Sequence, residues 1–209
     1  MPQSLLPGFT WSRSEARYRS NATGRFVSRR DIIALMETQV ASAERRLGEL
    51  TTDFHEGRIS ASTWQVTMRD ELRRLHSQNM ALGIGGWDRA DYRSWGRVGG
   101  YLQGDYARMT QLAHDIANGD ASLAQALNRV DGYVISARRN FFEGDRDAMM
   151  QSGRRFEERR YLHAQESCPE CIDYAGRGWV VAFTLPIPGD ASRCGSYCRC
   201  TMERREISA

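Results

Sequence analysis

The chain has 209 residues, of which 41% are hydrophobic, and a formal net charge of +3. This hydrophobic content is sufficient for a folded core, and no segment approaches the ~20 consecutive apolar residues of a membrane span, so no membrane partner is expected. The first residues lack a basic leader followed by an apolar run, which argues against a secretory signal.

Basic charge is concentrated at the N-terminus. All 29 basic residues are arginines, a bias that the codon usage of a GC-rich genome explains better than selection for guanidinium chemistry. Residues 1–30 hold six arginines and one acid, whereas the remaining chain holds 23 arginines and 25 acids. Prolines, glycines and the turn 20–24 interrupt residues 1–27, which are predicted to form an extended basic arm. Trp11 and Tyr18 are candidate anchors that fix this arm to its own body or to a partner.

Residues 28–153 are predicted to form an antiparallel helical bundle, so the expected fold class is mainly α. Ser28 is suited to cap a first helix, whose apolar residues recur every three or four positions as far as Phe54. We expect a second helix from Ser60 or Ser62 to Gly83, a third from about Asp88 to Asn118 and a fourth from about Asp120 to Phe141.

Four glycines lie inside the predicted third helix, at Gly96, Gly99, Gly100 and Gly104. Glycine destabilises a helix interior because it has the most backbone freedom to lose. The four residues therefore indicate either an interruption of the helix or a close crossing with another helix.

The C-terminal segment differs from the rest of the chain. Residues 145–163 are still predicted to be helical and Arg-rich, but helical periodicity ends after residue 164. A β-prone run follows at 178–185, and residues 198–202 are suited to a second short strand. We therefore predict that residues 154–209 form a small Cys-rich α+β module.

All five cysteines fall in this module, at Cys168, Cys171, Cys194, Cys198 and Cys200. Short-spaced sulfur donors are typical of a structural zinc site, in which four ligands surround the ion as a tetrahedron. The reducing cytosol favours metal over disulfides, and the alternatives are a disulfide pair or buried free thiols. We predict zinc ligation by Cys168, Cys171, Cys194 and Cys198, with Cys200 as the alternative to Cys198.

A tetrathiolate zinc site carries excess negative charge, which nearby cations offset. Arg193 and Arg199 each adjoin a predicted ligand and are expected to fill this role. His163 is the one nearby imidazole that could replace a sulfur, although a single histidine there is more often structural. Metal binding contributes directly to folding, which suits a module too small to bury enough apolar surface unaided.

The same residues resemble a known C-terminal signature. The order Cys168-Pro-Glu-Cys171, Ala175-Gly176, Leu185-Pro-Ile-Pro-Gly189, Cys194 and Cys198-Arg-Cys-Thr201 is similar to that of tailed-phage minor head, or head morphogenesis, proteins of the Mu F-like group. The similarity covers roughly residues 156–203. Many members have a His-Pro before the final Cys-Arg-Cys-Thr, where this chain has Cys194, so the third ligand is open.

The resemblance implies a virion structural protein that acts in head assembly. It would lie in the head or head–tail connector, after assembly in the host cytoplasm, with capsid, portal or neck proteins as partners. Multiple copies in a symmetric assembly are expected. The alternative function is contact with packaged DNA, through the basic arm and an Arg-rich helix face around Arg154, Arg155, Arg159 and Arg160.

An enzyme is not predicted. The four histidines, His55, His76, His114 and His163, are dispersed along the chain, and nothing in the sequence points to a nucleophile beside a base. A catalytic zinc is also disfavoured, because no His-Glu-x-x-His or His-x-Glu pattern supplies ligands together with a general base.

Overall fold

The structure of the protein, a computed structural model, describes residues 6–163 and 165–207 and is mainly helical. The helices are α1 (Arg29–His55), α2 (Ala61–Ile84), α3 (Tyr92–Ala117), α4 (Leu123–Ser136), α5 (Arg138–Ser152) and α6 (Pro169–Gly176), with 3-10 turns at Trp87–Arg89 and Gly195–Tyr197. The strands are β1 (Phe9–Ser12), β2 (Arg17–Ser20), β3 (Phe156–Tyr161), β4 (Val180–Val181) and β5 (Thr201–Glu206). Parts of the predicted arm and module, at residues 1–5, 164 and 208–209, lie outside the described residues.

Residues 9–20 form a β-hairpin rather than the predicted extended arm. Strand β1 pairs antiparallel with β2, and Trp11 lies opposite Tyr18 with ring centroids 4.7 Å apart. Tyr18 is buried, and its hydroxyl donates a hydrogen bond to the Leu82 carbonyl at 3.0 Å. Trp11 packs on Gly85, where a Cβ would lie 2.1 Å from the indole. The hairpin is ordered because both aromatic anchors bind the chain's own body.

The helix starts largely match the predicted serine caps. The Ser28 side chain accepts a backbone hydrogen bond at the start of α1, and Ser60 caps α2 in the same way. The helix predicted from about Asp120 is capped two residues later, by Ser122 through a capping box. The single helix predicted there is divided at Ala137 into α4 and α5.

The helices share one apolar core, in which α2 packs against α1, α3 and α5, and α1 packs against α4. Helices α2 and α5 cross closely: a Cβ at Gly83 would lie 2.1 Å from the Phe141 carbonyl oxygen, and one at Gly144 would lie 2.5 Å from that of Met80. The α3 glycines neither break that helix nor mark a crossing, since added Cβ atoms would meet at most a flexible arginine within 4 Å. The antiparallel order of a bundle stays a prediction.

A three-stranded sheet follows α5 where a further helix was predicted. Gly153, with a φ of +71°, ends α5, and β3 pairs antiparallel with both β4 and β5. The predicted strands are displaced, because β4 is only Val180–Val181 and β5 begins at Thr201. Leu185 and Met202 belong to the same apolar core as the helices, so the sheet and its loops are attached to the helical body by apolar contacts.

Candidate metal centre

The five cysteines come from three backbone segments that meet in space. They are Cys168 and Cys171 at the start of α6, Cys194 and Cys198 on either side of the second 3-10 turn, and Cys200 directly before β5. Helix α6 begins at Pro169, whose fixed φ suits a first helical position. The turn of α6 therefore presents two sulfurs, and the 194–200 loop brings the other three towards them.

The sulfur atoms are separated by distances that suit a shared metal ion. The Cys194 sulfur lies 3.6 Å from those of Cys168 and Cys171, and the sulfurs of Cys171 and Cys198 are 3.9 Å apart. Ligands of a tetrahedral zinc with Zn–S bonds of about 2.3 Å would be about 3.8 Å apart. All five side chains are free thiols rather than the alternative disulfides. The predicted cluster of sulfurs is therefore present and is compatible with a metal site.

The sulfurs form two overlapping groups, which leaves the complete ligand set open. Within each group all sulfurs lie within 4.8 Å of one another. The first thiol group is Cys168, Cys171 and Cys194, and the second thiol group is Cys171, Cys198 and Cys200. His163 belongs to neither group, and its Nε2 lies 2.9 Å from the Thr201 hydroxyl. The choice between Cys198 and Cys200 stays a prediction.

Hydrogen bonding between two of the thiols separates their acidities. The Cys200 thiol donates to the Cys198 sulfur and, with the nearby Arg160 guanidinium, lowers the pKa of Cys198 to about 4. The same contact raises the pKa of Cys200. The thiolate is the form that binds a metal, so the surroundings of Cys198 favour its ligating form.

Arg160 is a buried cation beside the sulfurs. The residue is 2% exposed, and its Nη1 lies 3.9 Å from the sulfurs of both Cys171 and Cys198. Its Nη2 donates to the Pro186 carbonyl, and the guanidinium packs over the Tyr174 ring. In the part of the chain that the structure describes, no carboxylate lies within 4.0 Å of it. Because an unpaired buried guanidinium is costly, negative charge on the sulfurs would compensate it.

The sequence pointed to other arginines for this role. Arg193 and Arg199 are exposed and pair with Glu170 and Glu44, respectively, so the structure does not place their charges on the sulfurs. Arg160 was missed because its segment was predicted to be helical. In β3 successive side chains alternate between the two faces, and Arg160 takes an inward position. The inward positions of β3 are Phe156, Glu158 and Arg160, so the sequence itself shows no alternation of apolar and polar residues that could have found it.

A second buried arginine fastens the cysteine loop to the helical body. Arg138, at the start of α5, is 4% exposed and ion-pairs with Glu37 of α1. Its guanidinium also donates to the carbonyl oxygens of Cys198 at 2.5 Å and Arg199 at 3.0 Å. The backbone between two candidate ligands is therefore held in place by a side chain of the helical core.

The Arg-rich helix face expected for DNA contact is not formed. Strand β3 begins at Phe156, and Arg154 before it and Arg159 within it are ion-paired with carboxylates. Arg160 is buried, and of the four arginines only Arg155 is exposed. Most of the positive charge of these four residues is therefore already neutralised or inaccessible.

A serine, a histidine and an aspartate also come together, which no sequence pattern indicated. Ser136 Oγ donates to Asp105 Oδ2 at 3.0 Å, and His76 Nε2 lies 3.5 Å from Ser136 Oγ. Burial lowers the pKa of His76 to about 4, so its ring is neutral near pH 7. With the Asn140 amide donating to Nδ1 at 2.8 Å, the ring proton lies on Nε2. That nitrogen cannot then accept a proton from Ser136, and we interpret the group as a buried hydrogen-bond network.

In the described residues, no helix combines the length and apolar character needed to cross a bilayer. Comparisons with protein-family models, with curated proteins and with solved structures found no match to this chain. What the cysteine cluster does is therefore inferred from its own geometry and charge.

Proposed function

We propose that the cysteine cluster binds one structural zinc ion and that Arg160 offsets part of its negative charge. The observation that carries this proposal is the burial of Arg160 beside two sulfurs with no carboxylate partner in the described ranges. The Cys198 thiolate offers Arg160 one negative charge, and a tetrathiolate zinc site, with two negative charges in excess, would place more charge beside the guanidinium. The cluster and the buried cation therefore complement each other only when the sulfurs are ionised.

The residues that would hold the ion are the first thiol group together with Cys198 or Cys200. Bound zinc would supply no reaction step here, only bonds that join α6 to the 194–200 loop. Cys171, Cys198 and Cys200 are each at most 5% exposed, and Cys168 and Cys194 are partly exposed. A ligand set made of cysteines alone is typical of a closed structural site rather than of one with an open position for substrate. Arg138 would then couple this closed site to helices α1 and α5.

The charge argument can be tested with two arginines on the same strand. We expect Arg160→Met to weaken zinc binding by roughly 10–100-fold, the usual effect of losing a partner outside the ligand set. Arg159→Met is the matched control, because Arg159 faces away from the sulfurs and pairs with Glu203. Zinc affinity of both full-length variants would be measured by competition with a chromophoric chelator. Equal affinities for the two variants would contradict the role assigned to Arg160.

We further propose that the zinc-bound segment acts in head assembly of a tailed phage, through contacts with capsid, portal or neck proteins. The support for this role is the signature from Cys168-Pro-Glu-Cys171 to Cys198-Arg-Cys-Thr201, which resembles that of Mu F-like minor head proteins. The arrangement suits such a role, because a metal-fixed loop keeps one shape while a partner docks on it. DNA contact by residues 154–160 is not part of the proposal.

The assembly role predicts that the chain is incorporated into particles. Phage heads purified from a host that produces this chain would be analysed by mass spectrometry, beside heads made with Cys171→Ser. We expect the unaltered chain in the heads and its loss, or strong reduction, when the cysteine shared by both thiol groups is replaced. Heads that lack the unaltered chain would contradict the assembly role and leave the zinc proposal standing.

A further inference from the structure

The cluster contains one sulfur more than a closed tetrahedral zinc site uses. The surplus thiol does not lie apart from the others. Cys200 is 3% exposed, and its sulfur lies within 4.8 Å of those of Cys171 and Cys198. Whichever four sulfurs bind zinc, the fifth lies close enough to them to become a ligand when another kind of metal ion is bound.

The five sulfurs form two groups of three that share one member, rather than one group of four. Donors in the described residues that lie within 4.8 Å of one another form the first and the second thiol group, with no set of four. Cys171 is the one sulfur common to both groups, and it is 1% exposed. A thiolate has several lone pairs, so a sulfur in this position can bond to two ions at once.

Groups of three thiolates suit ions that prefer three soft ligands. An ion with metal–sulfur bonds of about 2.3 Å at the centre of a triangle needs sulfurs about 4.0 Å apart. In the structure the separations are 3.6 Å from Cys194 to both Cys168 and Cys171, and 3.9 Å from Cys171 to Cys198. Thiolates select soft ions, of which Cu(I) is one. All three sulfurs of the second thiol group belong to buried residues, which leaves little access for a water as fourth ligand.

We propose that the cluster also binds two monovalent thiophilic ions of the Cu(I) class, one in each thiol group, with the Cys171 thiolate as the bridge. The inference rests on the proposed metal-binding function of the same cysteines and extends it to a second kind of ion. Arg160 is well placed for this state, since its Nη1 lies 3.9 Å from the bridging sulfur and from that of Cys198. Two ions with three sulfur ligands each form six metal–sulfur bonds. Five of these bonds replace an S–H or Zn–S bond, which releases protons and the zinc, the sixth uses a second lone pair of the Cys171 thiolate, and no electron is transferred.

The test is the number of ions bound by the full-length protein. Zinc content is measured first by native mass spectrometry, and Cu(I) held in acetonitrile is then added without oxygen until binding saturates. We expect two copper ions per chain and release of the zinc. Saturation at one copper ion per chain would overturn the proposal. A protein that arrives with one zinc and saturates at one copper would contradict the copper proposal and leave the structural zinc proposal standing. A protein that arrives without zinc and binds two coppers would contradict the structural zinc proposal and support the copper proposal.

Two variants assign the ions to the two groups. Cys168 belongs only to the first thiol group and Cys200 only to the second, so Cys168→Ser and Cys200→Ser are each expected to bind one copper ion instead of two. Ser196→Ala, in the same loop but without a sulfur, is the control and should still bind two. Two ions in both cysteine variants would contradict the assignment. If a variant does not fold, as judged by its helical circular dichroism, the count for the unaltered protein decides alone.

Discussion

The helical body and the cysteine cluster bury very different kinds of side chain. In the body, Trp64, Leu72 and Met80 are fully buried within an extensive apolar core. The cysteine cluster is a separate small group, and among the described residues Leu162 is the one apolar side chain other than cysteine that packs against it. Apolar burial stabilises the body by itself, at about 25 cal/mol per Å². The cysteine cluster buries little apolar surface and a guanidinium, so its order should depend on a metal ion.

Metal removal is expected to have the largest effect, and only on the cysteine cluster and not on the helical body. Structural zinc contributes roughly 10–16 kcal/mol of apparent binding free energy in small zinc-dependent folds. Chelation of the full-length protein should therefore abolish protection from hydrogen exchange in residues 168–200 and leave α1–α5 protected. Hydrogen exchange with mass spectrometry measures both regions in one sample. Simultaneous loss of protection in the helices would contradict the separation of the two regions.

The helical body is most sensitive where its backbones touch. Gly144→Ala places a methyl group 2.5 Å from the Met80 carbonyl oxygen, so α2 and α5 must separate. We expect a loss of about 3 kcal/mol in the free energy of unfolding, at the upper end for an overpacked core. Gly100→Ala is the control, because its Cβ would meet no atom within 4 Å, and it should stabilise α3 by about 0.5–1 kcal/mol. Urea unfolding measures the stability of both variants, and equal changes in the free energy of unfolding would contradict the close crossing of α2 and α5.

The buried His76 makes the body sensitive to acid. Its pKa falls from 6.5 in the unfolded chain to about 4 in the native one, because burial disfavours the charged ring. The unfolded state therefore binds the proton more tightly, and native stability should fall by about 2–3 kcal/mol as the pH drops from 7 to 4. His76→Asn should remove this component, whereas the exposed control His114→Asn should retain it. Urea unfolding at several pH values measures it, and an unchanged pH profile in His76→Asn would contradict the assignment.

The smallest expected effect concerns the attachment of the N-terminal hairpin. Tyr18→Phe removes the hydrogen bond to the Leu82 carbonyl and leaves that acceptor buried, which should cost about 1 kcal/mol of unfolding free energy. Tyr92→Phe is the matched control, because Tyr92 is 77% exposed. A loss in the Tyr18 variant no greater than in the control would show that the hairpin is held by its aromatic packing alone.

The parts that the sequence predicted well are governed by local rules. The apolar seam from Met36 to Phe54 is buried along α1, and the serine caps of α1 and α2 are where the sequence placed them. Likewise, the short spacing of Cys168 and Cys171 implied neighbouring sulfurs, because two ligands on one helical turn must lie close together.

The errors are all in features that tertiary contacts decide. The hairpin is ordered only because Tyr18 and Trp11 find partners on α2 and at Gly85, which are distant in sequence. The close helix crossing lies at Gly83 and Gly144 rather than in α3. A glycine marks a crossing only where the backbone of another helix lies against it, and the sequence does not show which glycines meet that condition. The role of Arg160 was hidden for the same reason: it requires strand pairing with β5, which no local pattern fixes.

The account depends most directly on whether the cysteines hold a metal, and the metal content of the purified full-length protein is the measurement that decides. Native mass spectrometry, combined with X-ray absorption at the zinc edge, should find one zinc per chain, surrounded by four sulfurs at about 2.3 Å. A metal-free chain, with the sulfurs of residues 168–200 either joined as disulfides or left as thiols, would contradict it.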